Sequence, residues 1–362
     1  MKSIFDKELQ RDIVDKKSPY KFGQYLYVTG GDGDTQMINP FPALPPGHLT
    51  IHPSSHGRLL GVAHLPWGQS IRITSSDVNT PVIETEILLF NDQKKIEFRY
   101  RIHKNYTTAK EAVYFAFPAA VEHPEFAFAS QQGWFDPAKD LMKGGSLEWF
   151  TVQQWMAVHD NALSVGIVPE DAPLASFGDI NRGTWPGDFK PASGTIFSYA
   201  MNNYWHTNYR AGQGGDFTFR YAITSGRELD GPALTRLGWE EMRPVELDHV
   251  VGQDKVGNPP RPLPPAGSNF LDISANDVVL VTWKEAEDGH GTILRLAEIA
   301  GRASETTVAF HHSQFASAHL CSGMEDNTAA LPVDGQAIHL SFRPFEVLTV
   351  RVDPASVPET QK

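Results

Sequence analysis

The densest group of polar and aromatic side chains in this sequence lies within ten residues, 201–210, which read MNNYWHTNYR. Carbohydrate sites need planar amide and guanidinium groups to hydrogen-bond neighbouring hydroxyls, and aromatic faces to cover the apolar side of a sugar ring. The segment supplies each of these parts. Its candidate substrate-binding residues are Asn203, Trp205, His206, Asn208 and Arg210.

A purely structural role for the same segment is the alternative. Amide-rich turns commonly satisfy the backbone groups of loops, so the asparagines could serve the chain itself while Trp205 and Tyr209 lie in the core. Both interpretations use the same residue types at the same positions. Composition therefore leaves the two open.

The remaining reactive side chains form no catalytic or metal-binding pattern. None of the fourteen histidines belongs to an H-E-x-x-H motif, and the adjacent His311 and His312 would point to opposite faces of a strand. The single cysteine, Cys321, cannot build a Cys-rich zinc site. No G-x-S-x-G sequence marks a serine nucleophile. We therefore assign no catalytic residue, no metal ligand and no cofactor to this chain.

The elements that position these residues are predicted to be strands. Apolar and polar residues alternate over 95–103, which is the spacing of a strand with one buried face. A polar turn, Asn91-Asp92-Gln93, joins this segment to 82–90, so the two predict an antiparallel hairpin. Further strands of the first part of the chain are predicted at 112–117, 152–158, 163–168, 196–201 and 217–223.

The class predicted by this pattern is all-β. Glycine and proline, 30 and 26 residues, are spread through the chain, which suits many short strands joined by turns. A cluster of five prolines at 259–265 predicts a stiff, extended connector. We divide the chain into a large β domain over 1–240, a connector over 241–267, a small β-sandwich over 268–353 and a tail over 354–362. In the small sandwich we predict strands at 278–283, 292–298, 306–310, 337–342 and 346–352.

Charge and hydropathy exclude two classes of partner. With 31 Lys and Arg against 43 Asp and Glu, the net charge of −12 opposes binding to nucleic acid or anionic lipid. No run approaches the roughly 18 apolar residues that span a bilayer, and the first 17 residues are rich in charge, unlike a signal peptide. One cysteine needs no oxidising compartment. We expect no nucleic-acid or membrane partner and a cytoplasmic location.

The order of several segments resembles one known family. The segments are SIFDKEL at 3–9, YLYVTGG at 25–31, KEAVYFAFP at 110–118, DAPL at 171–174 with FG at 177–178, MNNYWHTNY at 201–209, ILRLAE at 293–298 and RPFEVLT at 343–349. In this order they resemble the C-terminal β region of glycoside hydrolase family 38 α-mannosidases. The resemblance runs from about residue 3 to residue 352, which is nearly the whole chain.

The resemblance implies a fold and an assembly. It implies a large supersandwich of the galactose-mutarotase type up to about Gly238, followed by a smaller C-terminal β-sandwich. In the family these domains accompany an α/β barrel that holds zinc through a His-x-Asp pair and carries an aspartate nucleophile. None of the fourteen histidines here is followed two residues later by Asp. We therefore expect the zinc in a separate catalytic barrel, and we carry no family catalytic residue onto this sequence.

The function implied by the resemblance is that of a non-catalytic β portion of an α-mannosidase-like glycoside hydrolase. The complete enzyme would hydrolyse α-mannosides with retention of configuration and with zinc. The expected partners are an α-mannoside and an α/β-barrel catalytic domain or subunit. The chain could be a fragment of a longer enzyme or a separate subunit. A stand-alone carbohydrate-binding or scaffold module without turnover is the alternative, and sugar epimerase or mutarotase chemistry rests on the resembled fold alone.

Overall fold

The computed structural model describes residues 1–30, 48–131, 133–182, 184, 186–204, 209, 211–246, 269–311 and 314–354. Across these residues the chain is mostly β-strand with a single α-helix, which confirms the all-β prediction. The chain divides into two compact units, Met1–Met242 and Arg243–Lys362. No helix within the described ranges is long and apolar enough to cross a membrane.

The first unit contains a nine-stranded and a six-stranded antiparallel sheet, with the strand orders β11-β10-β13-β14-β17-β8-β7-β6-β5 and β12-β15-β16-β9-β3-β4. A two-stranded ribbon, β1-β2, precedes them. The strands are β1 (Phe5–Asp6), β2 (Arg11–Asp12), β3 (Gln24–Gly30), β4 (Leu49–Pro53), β5 (Ser55–Leu65), β6 (Gly68–Asp77), β7 (Thr80–Phe90), β8 (Ile96–Thr107), β9 (Glu111–Pro118), β10 (Glu125–Ser130), β11 (Gly133–Phe135), β12 (Phe150–Thr151), β13 (Met156–His159), β14 (Ser164–Pro169), β15 (Leu174–Phe177), β16 (Thr195–Asn202) and β17 (Gln213–Gly226).

The two large sheets pack face to face, and the alternating pattern of β8 shows why. Phe98, Tyr100 and Ile102 are buried on one face of this strand while the arginines between them point outward. Tyr100 meets Phe115 of the six-stranded sheet with ring centroids 4.2 Å apart. β7 and β8 form the predicted antiparallel hairpin, with Ile87 opposite Phe98. The core of the unit is therefore the layer between the two sheets.

A helix covers part of the outer face of the nine-stranded sheet. This helix, α1 (Gly231–Met242), begins after Asp230, whose Oδ1 accepts the N–H of Ala233 at 2.8 Å as an N-cap. Leu234 is buried on the face of the helix that meets the sheet. A Cβ atom at Gly166 of β14 would lie 2.3 Å from Leu234 Cδ2. The glycine therefore lets the helix approach the sheet closely.

One segment differs from its predicted strand. The sequence predicts a continuous strand over 152–158, but the structure has β12 at Phe150–Thr151 and β13 at Met156–His159. Between them the backbone N–H of Val152 donates to the Pro173 carbonyl oxygen at 2.7 Å and that of Gln153 to the Ala129 carbonyl oxygen at 2.9 Å. The buried Trp155 donates from Nε1 to Thr235 Oγ1 of α1 at 2.9 Å.

At β5 the nine-stranded sheet exposes apolar side chains among the described residues. Leu59 and Val62 of β5 lie opposite Ile73 and Ile71 of β6, on the face that is buried farther along the sheet. Their side chains are 60% and 54% exposed, whereas Ile87 two strands away is 2% exposed. β5 also carries two register irregularities, between Ser55 and Arg58 and between Leu59 and Gly61. An apolar edge with two bulges therefore ends the sheet.

The second unit is a small sandwich of a four-stranded and a five-stranded sheet, β18-β21-β25-β24 and β19-β20-β26-β22-β23. Its strands are β18 (Leu271–Ile273), β19 (Val278–Glu285), β20 (Thr292–Glu298), β21 (Ser304–Phe310), β22 (Phe315–Cys321), β23 (Asn327–Leu331), β24 (Val333–Asp334), β25 (Ala337–Phe342) and β26 (Val347–Pro354). Leu294, Leu296, Val308, Ile338 and Val350 form its buried centre. Most of the predicted connector, 247–267, and the predicted tail from 355 lie outside the described residues.

Candidate functional site

The structure places Asn203, the first of the predicted site residues, in a structural role. Its side chain is 3% exposed and donates from Nδ2 to the carbonyl oxygens of Thr107 at 3.2 Å and Ala109 at 2.9 Å. Its backbone N–H donates to the Glu111 carbonyl oxygen at 2.9 Å. Asn203 thus satisfies loop backbone groups, whereas Tyr209, which the alternative interpretation places in the core, is 64% exposed. The other four predicted residues, Trp205, His206, Asn208 and Arg210, lie outside the described residues, and their contact with sugar stays a prediction.

Several strand ends meet beside Asn203. β16 ends at Asn202, which pairs with Ala112 at the start of β9, and Thr29 near the end of β3 pairs with Glu111. In the nine-stranded sheet, β17 starts at Gln213 opposite the end of β8. The turn between β6 and β7 reaches the same place, since Asn79 Nδ2 donates to Glu111 Oε2 at 3.2 Å. We call this end of the sandwich the Glu111 end.

A buried ion pair organises the Glu111 end. The ammonium of Lys104 donates to Glu111 Oε1, and the hydroxyl of Tyr27 donates to Glu111 Oε2. Lys104 also donates to the carbonyl oxygen of Gln213 at 3.0 Å. Both members of the pair are buried, so their mutual attraction and these hydrogen bonds, with that from Asn79, offset the cost of removing two charges from water. The pair joins β3, β8, β9 and β17 into one rigid base.

Two titratable groups near this base are perturbed by burial. Burial, reinforced by the hydrogen bond to Glu111, raises the pKa of Tyr27, so its hydroxyl remains a donor at physiological pH. Burial also raises the pKa of Asp77 to about 6. The Oδ2 atom of Asp77 is buried without a hydrogen-bond partner among the described residues, while Oδ1 accepts the N–H of Val78 at 2.7 Å. Asp77 therefore changes its charge close to neutral pH.

Tyr106, an exposed residue of β8, lies two positions after the buried Lys104. Tyr106 is 68% exposed, and a Cβ atom at Gly212 would lie 2.6 Å from both its Cζ and its Oη. A Cβ atom at Gly214 would lie 2.4 Å from Tyr106 Cα, because the pairing of β8 and β17 shifts register between Gln213 and Gly215. Tyr209, three positions before Gly212, is 64% exposed. Tyr106 is not among the predicted site residues, because the two glycines that contact it, Gly212 and Gly214, are distant from it in the sequence.

The segment that leads into residue 205 is fixed at its start. The guanidinium of Arg182 lies 3.2 Å from the centroid of the Tyr204 ring. The Tyr204 hydroxyl donates to the carbonyl oxygen of Gly30 at 2.9 Å, at the end of β3. The backbone N–H of Tyr204 donates to Asn202 Oδ1 at 2.9 Å. Tyr204 is therefore held by both a cation–π contact and hydrogen bonds to two strand ends.

A second polar cluster joins α1 to the nine-stranded sheet. Lys95 Nζ lies 2.6 Å from Glu241 Oε1 of the helix and 3.0 Å from Glu97 Oε1. Next to it, Arg220 contacts Glu170 at 2.9 Å and Asp171 at 2.9 Å. Burial raises the pKa of Glu170 to about 7 against the opposing effect of Arg220. Among the described residues, neither this cluster nor any other group of histidine, cysteine and carboxylate side chains is arranged to hold a metal ion.

A cavity of about 600 Å³ opens elsewhere in the first unit. It lies between the loop before β12 and the loop before β16, and its charged lining residues are Lys143, Glu148, Asp188 and Lys190. Lys190 is engaged by Asp188 at 2.9 Å. This cavity holds none of the predicted site residues, so the Glu111 end remains the candidate functional site.

Comparison with known proteins agrees with this architecture. Two solved structures share the fold over 95% of this chain: an alpha-mannosidase from Enterococcus faecalis, with 14% identity and a TM-score of 0.61, and a protein in the Glycosyl Hydrolase Family 38 from Enterococcus faecalis, with 13% identity and a TM-score of 0.64. The chain spans 40% and 42% of the length of these two proteins. A search of curated proteins gives no significant match.

The two units share the β fold of the two matched structures over most of the chain. Residues 277–350, within the second unit, match the sequence model of the glycosyl hydrolases family 38 C-terminal beta sandwich domain. The resemblance to the C-terminal β region of family 38 α-mannosidases is thereby confirmed. The described residues contain no α/β barrel.

Proposed function

We propose that the chain is the non-catalytic β portion of an α-mannosidase-like glycoside hydrolase. The observation that carries this proposal is the combination of the fold match over 95% of the chain with the family 38 match at 277–350. The chain corresponds to only 40% and 42% of the two matched proteins, so more than half of each has no counterpart in it. The unmatched part of these two proteins supports a catalytic domain as the partner of this chain.

In the complete enzyme, the catalytic domain would hydrolyse α-mannosides with retention and hold a zinc ion. Our assignment of zinc to that domain rests on the sequence, because no histidine here has an aspartate two positions later. The role of this chain is to support and shape the sugar site. The Glu111 end is suited to that role, because a buried ion pair and the contacts of Tyr204 fix the strand ends there. A cytoplasmic location belongs to the same proposal.

The test begins with the DNA upstream of the Met1 codon and in the adjacent genes. We expect a coding stretch for an α/β barrel that contains a His-x-Asp pair. Expressed with this chain, that barrel should hydrolyse an aryl α-mannoside in a zinc-dependent reaction, and this chain alone should not. Hydrolysis by this chain alone, or full activity and stability of the barrel without it, would contradict the proposal.

A stand-alone carbohydrate-binding module is the second candidate function. The exposed Tyr106 at the Glu111 end and the exposed Tyr209 favour it, because exposed aromatic rings are typical of sugar-binding surfaces. Saturable binding of α-linked mannose oligosaccharides by this chain, in an organism with no matching barrel gene, would support this candidate over the first.

A further inference from the structure

We propose that Tyr106 and the backbone of Gly212 and Gly214 form a stacking platform for the apolar face of a pyranose ring. This inference rests on the proposed function, since it names the part of the Glu111 end that meets carbohydrate. It involves only described residues and assigns a binding role to a residue that the sequence pattern does not mark.

The contact distances show how the ring is oriented. A Cβ atom at Gly212 would lie 2.6 Å from Tyr106 Cζ, 2.6 Å from Oη and 2.7 Å from Cε2. These three atoms are bonded in sequence, and a point in the ring plane within the angle they form would be clearly farther from Cζ than from the other two. Nearly equal distances therefore put this Cβ position off the ring plane, beside the edge that carries Oη and Cε2. Gly212 thus lies on one side of the ring at this edge, and 68% of the residue is exposed.

The platform is held in place before any ligand arrives. The β8–β17 ladder pairs Thr107 with Gln213 and Lys104 with Gly215, so Tyr106 sits within the register shift between them. The buried Lys104 fixes both strands, because it donates to the Gln213 carbonyl oxygen at 3.0 Å and to Glu111. A ring that is already positioned loses little conformational entropy when a ligand stacks on it.

The surroundings favour a neutral sugar over other ligands. The residues next to Tyr106 along β8 and at the start of β17, Asn105, Thr107 and Gln213, are polar. The net charge of −12 disfavours an anionic polymer. A pyranose combines an apolar face for the ring with hydroxyls for the polar rim, and Tyr209 supplies a second exposed aromatic residue on the same stretch of chain.

The experiment is a calorimetric titration of the full chain with methyl α-mannoside, an α-linked mannobiose and an α-linked mannotriose, with glycerol as a polyol that has no ring face. We expect saturable binding of the mannosides and none of glycerol. Tyr106→Ala should weaken binding by about tenfold, whereas Tyr106→Phe should retain it, because stacking uses the ring and not the hydroxyl. Gly212→Ala should also weaken binding, since the new Cβ displaces a tyrosine that is still present.

Two matched controls separate this effect from general damage. Gly57→Ala introduces a Cβ that meets nothing within 4 Å and should leave binding unchanged. Trp67→Ala removes an exposed aromatic residue that stacks on Phe90, at the opposite end of β6 from Asp77, and should also leave binding unchanged. Thermal unfolding of every variant checks that it is folded.

The outcomes distinguish this inference from the proposed function. Binding that survives Tyr106→Ala overturns the platform, and so does equal loss in Tyr106→Phe and Tyr106→Ala. Absence of binding to all three mannosides also overturns it. None of these results bears on whether a catalytic barrel needs this chain, which the co-expression assay decides. If Gly212→Ala fails to fold, the comparison of the two Tyr106 variants still tests the platform.

Discussion

Lys95 and Glu241 join the nine-stranded sheet to the end of α1 through an ion pair of 2.6 Å. Lys95 precedes β8 directly, and its ammonium also contacts Glu97 and lies 4.4 Å from the centroid of the Phe90 ring. All three charged side chains are about nine-tenths buried. The helix is therefore attached by a cation shared between two carboxylates, in addition to the packing of Leu234.

Removing that cation should loosen the helix. In Lys95→Met, Glu97 loses one of its two cation contacts and the nearly buried Glu241 loses the lysine, so we expect the free energy of unfolding of the first unit to fall by about 2 to 3 kcal/mol. Urea unfolding measures the change. The control is Lys190→Met, whose pair with Asp188 is solvent-exposed and should contribute little to stability. Equal effects of the two variants would show that burial adds nothing to the Lys95 pair.

Glu170 should make stability depend on pH near neutrality. Its pKa is raised to about 7 by burial from the usual 4.5, so between these values the folded state holds a proton that the unfolded state has lost. The stabilisation from this group is complete below pH 4.5 and is lost as the pH rises through 7. Glu170→Gln should flatten the decline in unfolding temperature between pH 5 and pH 8. Asp188→Asn, at an exposed carboxylate, should leave the decline unchanged, and parallel curves for Glu170→Gln and the natural protein would refute the assignment.

The Lys104–Glu111 pair should show strong coupling. Glu111→Leu leaves a buried ammonium without its carboxylate, and Lys104→Met leaves the carboxylate without its ammonium, so each should cost about 3 kcal/mol or more. The double variant should cost clearly less than the sum, because no uncompensated charge remains. Chemical unfolding of the four proteins gives the coupling energy. Additive losses would mean that the two charges do not depend on each other.

The exposed face of β5 should tolerate charge. Val62→Asp should change the free energy of unfolding by less than about 0.5 kcal/mol, because the side chain is more than half exposed. Ile87→Asp, on the same face of the sheet but buried, should prevent folding or cost more than about 4 kcal/mol. Unfolding curves measure both. A severe effect of Val62→Asp would show that β5 is packed in solution.

Alternation of apolar and polar residues made most of the sandwich predictable. β7, β8, β16 and β17 each bury one face or both, so their sequences carry a clear signal. β5 has exposed residues on both faces, and its sequence therefore lacks the alternation of apolar and polar residues that marks a half-buried strand. The helix α1 was missed as well, although Asp230-Gly231-Pro232 contains an N-cap and an early helical proline. Its amphipathic stripe is narrow, since only Leu234, Thr235 and Gly238 are buried.

The candidate site was predictable in composition but not in geometry. The amides at 202–208 suggested sugar contacts, yet Asn203 turns inward because Thr107 and Ala109 offer carbonyl oxygens that need donors. Tyr106 and Gly212 are more than a hundred positions apart, and their contact depends on a register shift in the pairing of β8 with β17. Such a shift leaves no periodic trace in a single sequence. The clustering of side chains around Glu111 likewise depends on the pairing of strands that are distant in the sequence.

The two register irregularities in β5 protect this apolar edge strand against pairing with strands of other molecules. An incoming strand that tried to extend the ladder would find the backbone donors and acceptors out of step after Ser55 and again after Leu59. Regular strand addition would stop within a few residues, and the growth of an ordered polymer from this edge is hindered. β5 therefore exposes apolar side chains at the edge of the sheet, while its two bulges oppose fibre formation.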